Sequence, residues 1–102
     1  MRAVRYHEHG GPEQLAVEDV ERPEPAADEL LVRVSTAGVN PVDTYFREGS
    51  YPVPELPWIP GSDAVGEVVS VGSDVTDYET GQRVYATGLG RTTPGACAEY
   101  AA

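Results

Sequence analysis

Lysine is absent from this 102-residue chain: all seven basic residues are arginine, set against seventeen Asp and Glu, for a formal net charge of −10. An acidic surface of this kind repels phosphate backbones and anionic lipid, which argues against nucleic acid or a membrane surface as partner. Missing lysine together with abundant carboxylate points to adaptation to high salt, where screening relieves the self-repulsion. The expectation is lower stability in dilute buffer than in molar potassium chloride. Cysteine is nearly absent too. A single Cys97 excludes an internal disulfide and any cysteine-rich zinc lobe, and reads as a small, partly buried apolar residue. No apolar run is long enough to span a bilayer. The N-terminus, "MRAVRYHEHGG", lacks the apolar core of a signal peptide, so the expected location is the cytoplasm.

A phosphate-binding fingerprint is also missing. "GLGRTTPG" opens with G-x-G, but Thr93 stands where G-x-G-x-x-G requires its third glycine, and no helix pattern follows. The length allows one small domain with one modest core.

What is present is mostly β pattern. "RAVRY" (Arg2–Tyr6) alternates, "GGP" breaks it, and "QLAVEDV" (Gln14–Val20) alternates again. "ERPEPAADE" is an acidic, proline-rich loop. "LLVRVSTAGV" (Leu30–Val39) is the strongest strand, with Leu30, Val32 and Val34 expected nearer the core. "AVGEVVSVG" follows, with Gly66 marking a bend or bulge, and "RVYAT" and "CAEYAA" complete the set. Short strands bounded by glycine turns predict a closed or nearly closed barrel.

One helix is convincing. Asn40 suits the N-cap, Pro41 the first helical position and Asp43 the third, where a carboxylate also meets the positive end of the helix dipole. Gly49 is the expected stop, and a further helical turn is expected near "TDYETGQ", ending at Gly81. Packing accounts for most of this helix: Val42 and Phe46 inward; Asp43, Arg47 and Glu48 outward. Tyr45 and Tyr51 are left needing a place for their hydroxyls. The segment "SYPVPELPWIPGS", with four prolines, is expected to be an ordered loop pressed against the domain, with Trp58 packed beneath it or lending an apolar wall.

Three segments, "AGVNPVDTYFREGSYP", "LPWIPGSDAVGEVVSVGSDVTDYETGQRV" and "GACAEYAA", line up with the opening "MRAVRYHEHGGPEQL". Together they closely resemble the N-terminal, GroES-like domain of the medium-chain dehydrogenase/reductase superfamily. The branch they resemble is that of the zinc-free, zeta-crystallin-type quinone oxidoreductases. The resemblance implies a mainly β, partly open GroES-like barrel with one or two short helices over residues 1–102. It also implies a longer protein, in which a Rossmann domain outside this chain binds most of the cofactor. On that reading these residues are a piece of the enzyme, inactive alone, and the full-length protein could be a homodimer.

The same resemblance bears on chemistry. Zinc enzymes of the superfamily carry a cysteine near position 40 and a histidine–glutamate pair after the glycine at 61. Here the matching residues are Asn40, Ser62 and Asp63. Asn40 and Ser62 are poor zinc ligands, and His7 and His9 have no partners at motif spacing, so metal-free catalysis is expected. By analogy Asn40 and Tyr45 would contact the nicotinamide end of NADPH, Asp43 would hold the loop or a water nearby, and Tyr51 would face a quinone or enone substrate. A quinone needs a hydride and then a proton; orienting two flat rings supplies most of the benefit, and water can protonate the hydroquinone anion. Two alternatives stand beside this reading. One is an enoyl thioester reductase using Tyr51 as proton donor. The other is a GroES-like binding module without catalysis.

Overall fold

The computed structural model describes the whole chain, Met1–Ala102. Strand β1 (Arg2–Tyr6) pairs antiparallel with β2 (Leu15–Asp19), Val4 opposite Val17, and a 3₁₀ turn at Pro12–Gln14 joins the two. A second sheet has the order β5 (Arg83–Ala86), β4 (Ala64–Val71), β3 (Leu30–Ala37), β6 (Tyr100–Ala101), all antiparallel. The segment leading into β6 stitches the sheets together: Val4 N–H donates to the Cys97 carbonyl at 2.8 Å, and Glu99 N–H to that of Arg2 at 3.2 Å. β2 and β5 remain the two free edges, so the architecture is the partly open barrel expected of a GroES-like domain.

β3 departs from the alternation read in the sequence. Leu31 is the buried residue, at 3% exposure, while Leu30, Val32 and Val34 are only half-buried. Register shifts between Leu31 and Val32, and between Val34 and Thr36, account for the departure. Each inserts an irregularity that re-aims the following side chains. Gly66 lies opposite Val34 at the second shift, and a side chain there would collide with the Arg33 carbonyl, so the close approach of β3 and β4 requires glycine.

Helix α1 (Pro41–Glu48) starts and stops where its caps predict. Asn40 and Asp43 form a capping box, and Gly49 ends the helix in the left-handed conformation at φ 93°. Phe46 is buried. Arg47 is not on a solvated outer face as expected: its side chain is 12% exposed and its Nε donates to the Gly10 carbonyl at 3.0 Å. The guanidinium stem packs along the end of the β1–β2 hairpin while its head finds a backbone acceptor. No helical turn forms near "TDYETGQ"; the chain makes a hydrogen-bonded turn there, with Gln82 N–H donating to the Glu79 carbonyl, and Gly81 N–H donates to the Val68 carbonyl of β4.

The proline-rich segment divides in two. Residues 50–56 are mostly exposed, whereas Trp58, Ile59, Pro60, Gly61 and Ser62 are buried. Trp58 packs beneath the loop, donating Nε1–H to the Gly90 carbonyl at 2.9 Å, and its backbone exchanges two hydrogen bonds with Tyr6. The core also holds Ala3, Tyr6, Ile59, Ala64, Val68, Ala96 and Ala101. Burial raises the pKa of Tyr6, whose hydroxyl has no partner within the chain. No helix is long and apolar enough to cross a membrane.

Candidate functional site

Two carboxylates organise the N-terminal end of α1. Asp43 Oδ2 accepts from the Asn40 backbone N–H at 2.8 Å, and its Oδ1 accepts from Ser62 Oγ at 2.6 Å. Asp63 accepts from Asn40 Nδ2 and from Thr87 Oγ1, both at 2.7 Å. The helix start, the loop before β4 and the loop after β5 are thereby tied into one network. Charge-assisted bonds of this kind are short and directional, so the network holds one arrangement. The backbone reinforces it: Gly38 N–H donates to the Asp63 carbonyl at 2.9 Å and Leu89 N–H to that of Ser62 at 3.0 Å.

Gly61 makes the loop before β4 fit. It adopts φ 112°, and an added Cβ would lie 2.9 Å from the Ala96 nitrogen and 3.0 Å from Cys97 Sγ. Cys97 and Asp43 share a cavity of about 150 Å³ with Val4, Val39 and Pro60. Burial first, and the charge of Asp43 second, push the Cys97 thiol up, so it stays protonated and unreactive near neutral pH.

At the other end of α1, Tyr45 and Tyr51 stand edge to face, ring centres 5.8 Å apart and planes at 85°. Tyr51 also meets the Phe46 ring at 5.4 Å. Both tyrosines are nearly half exposed, at 42% and 47%. The Tyr51 N–H donates to the Tyr45 carbonyl, which holds the residue after the helix stop back against the helix. Their aromatic faces are therefore held in place and open to solvent. Val39, at 87% exposure, adds an apolar side chain just before the cap.

Of the four residues singled out from the sequence, direct contacts join Asn40 with Asp43, and Tyr45 with Tyr51. Two participants escaped the sequence reading. Thr87 carries no motif, and its bond to Asp63 spans 24 residues. Arg91 lies with its guanidinium carbon 5.9 Å from the Phe46 ring centre. His7 bonds Glu18 at the β1–β2 hairpin, and His9 lies 3.2 Å from the Arg47 carbonyl.

The donor set can be tested against a zinc ion. Asn40 presents an amide N–H to Asp63, and Ser62 presents its hydroxyl to Asp43, so neither offers a thiolate, imidazole or carboxylate. Asp63 alone remains, with both oxygens already accepting. These residues do not fit a catalytic zinc site. The rings of Tyr45 and Tyr51, by contrast, are exposed and held nearly at right angles.

Residues 26–102 match the alcohol dehydrogenase GroES-like domain. A quinone oxidoreductase of Lama guanicoe is 46% identical over 103 residues, covering 99% of this chain and 30% of that protein. The structure of Escherichia coli quinone oxidoreductase complexed with NADPH superposes with a TM-score of 0.87 at 36% identity, over 98% of this chain and 30% of that one. A cobalt- and zinc-bound thermostable alcohol dehydrogenase from Pyrobaculum aerophilum superposes with a TM-score of 0.91 at 31% identity, over 99% of this chain and 38% of that one. The chain thus spans about 30% of the length of the quinone oxidoreductases it matches. One fold serves both a metal-bound and a quinone-reducing relative, so the chemistry must be argued from side chains.

Proposed function

This chain belongs to the alcohol dehydrogenase GroES-like domain family, and from that premise we propose that it is the substrate-side domain of an NADPH-dependent, metal-independent quinone or enone reductase. The observation that carries the reading is the pair of exposed, mutually perpendicular tyrosines held at the end of α1. NADPH, when bound, supplies a hydride. Tyr45 and Asn40 would hold its nicotinamide end, and Tyr51 would face the substrate ring. Asp43 holds the loop carrying Ser62 against the helix, beside the cofactor. Positioning of two flat rings is the main contribution of these residues, and water protonates the hydroquinone anion that hydride addition leaves. Metal independence follows from the chemistry of Asn40, Ser62 and Asp63, whose polar atoms are engaged with one another and with Asp43 and Thr87.

The test uses the full chain as its gene encodes it, treated with a strong chelator and assayed for NADPH oxidation by 1,2-naphthoquinone. Turnover should survive chelation. Tyr45→Ala should lower kcat/KM by about tenfold or more, the scale expected when a positioning contact is lost. Loss of activity on chelation, restored by zinc, would refute the reading.

The thioester alternative has its own discriminator. A phenol that donates a proton is indispensable, so Tyr51→Phe would abolish reduction of a crotonyl thioester while sparing the quinone. The 102 residues alone, lacking a dinucleotide fingerprint, should bind NADPH weakly or not at all. Micromolar binding by them would overturn this division of labour.

A further inference from the structure

Three of the seven arginines form ion pairs. Arg5 and His7 pair with Glu18, Arg33 with Glu67, and Arg47 with Glu48 and the Gly10 carbonyl. Arg22 lies over the Tyr100 ring at 4.8 Å. Arg2, Arg83 and Arg91 are exposed and make no ion pair, and of these three Arg91 lies beside an aromatic ring. Its one neighbour of note is the Phe46 ring, which also contacts Tyr51 at 5.4 Å. A free guanidinium and the exposed Tyr51 therefore share the Phe46 ring as a neighbour.

The loop bearing Arg91 is held in place by the candidate site itself. Thr87 bonds Asp63, Leu89 N–H bonds the Ser62 carbonyl, and the Gly90 carbonyl accepts from Trp58. These contacts anchor the backbone immediately before Arg91. Phe46 contributes a further attraction by holding a cation near its ring.

We propose that Arg91 is a specificity-determining residue that selects quinone or enone substrates carrying an ionised acidic substituent, such as a carboxylate or sulfonate. This rests on the reductase reading above. The ring of such a substrate lies against Tyr51 while its anionic group meets the planar guanidinium fork, which suits a bidentate oxyanion. These 102 residues carry a net charge of −10, which repels an anionic ligand, so an unpaired cation near the aromatic pair favours its acceptance.

The test compares 1,2-naphthoquinone with 1,2-naphthoquinone-4-sulfonate in the full chain as its gene encodes it, for wild type, Arg91→Gln and Arg91→Lys. Arg91→Gln should raise KM for the sulfonate about three- to fivefold at low salt, as for loss of one solvent-exposed ion pair, and change the neutral quinone less than about twofold. Arg91→Lys, which keeps the charge and loses the fork, should recover only part of the sulfonate effect, and added salt should erase the difference between wild type and Arg91→Gln. Equal changes for both quinones, or a difference that salt leaves untouched, would overturn the assignment of Arg91 while leaving the reductase reading intact. A wild-type enzyme that reduces neither quinone would overturn that reading and this one with it.

Discussion

Asp43 and Asp63 each accept two hydrogen bonds from other parts of the chain, and the N-terminal end of α1 has its loops tied down by side-chain polar contacts. The groove of about 180 Å³ between β3, β4 and β5 is built differently. Leu30, Val32, Val84 and Leu89 line it with apolar surface, and Tyr85 stands 85% exposed at its side. Directional bonds specify a single geometry and penalise departures from it, whereas exposed apolar surface contributes little until it is covered. The candidate site is thus preorganised by its own network, and Leu89 is a residue it shares with the groove.

The comparison predicts a graded series of effects. The largest should come from Trp58→Ala, which empties the core beneath the network and removes the bond to Gly90. A loss of about 3–5 kcal/mol in chemical denaturation is expected, as for other buried aromatics. Next is Asp43→Ala. It strands the part-buried Ser62 hydroxyl and the Asn40 N–H, and should cost about 1–3 kcal/mol. Ser62→Ala should cost less, and a double-mutant cycle should reveal coupling between the two. Additive effects would mean the network does not act as a unit. Tyr85→Ser in the groove should shift stability by no more than about 0.5 kcal/mol. A loss as large as that of Asp43→Ala would erase the distinction between the two regions.

The smallest effect concerns Glu18, far from both. Hydrogen bonds from His7 and Arg5 hold its carboxyl below the ordinary range. A folded-state pKa below the unfolded value contributes stability that is present above the unfolded pKa and lost as pH falls through the folded one. Glu18→Gln should therefore lower the melting temperature slightly at neutral pH, and the deficit should shrink as pH falls below the usual carboxylate range, so that the acid limb flattens. An altered slope only above neutrality would contradict the cited pairing.

Much of the architecture was legible beforehand because its signals are local. Alternation marks β1 over its observed span, Arg2–Tyr6, and the cap residues bracket α1 between Asn40 and Gly49. Where the reading failed, a non-local contact prevailed. The register shifts that turn Leu31 into the core depend on how β4 meets β3. Arg47 left its expected solvated position because the Gly10 carbonyl, 37 residues away, lies within reach.

The amino-acid order by itself determined the strands, the helix and its ends, and the absence of thiolate and imidazole at positions 40, 62 and 63. Those properties reside in single residues and their immediate neighbours. Only the tertiary structure decided that Ser62 would find Asp43, that Thr87 would find Asp63, and that Arg91 would stand over Phe46. Such pairings join segments distant in sequence, and they exist only because folding the two sheets around Trp58 brings those segments to one place.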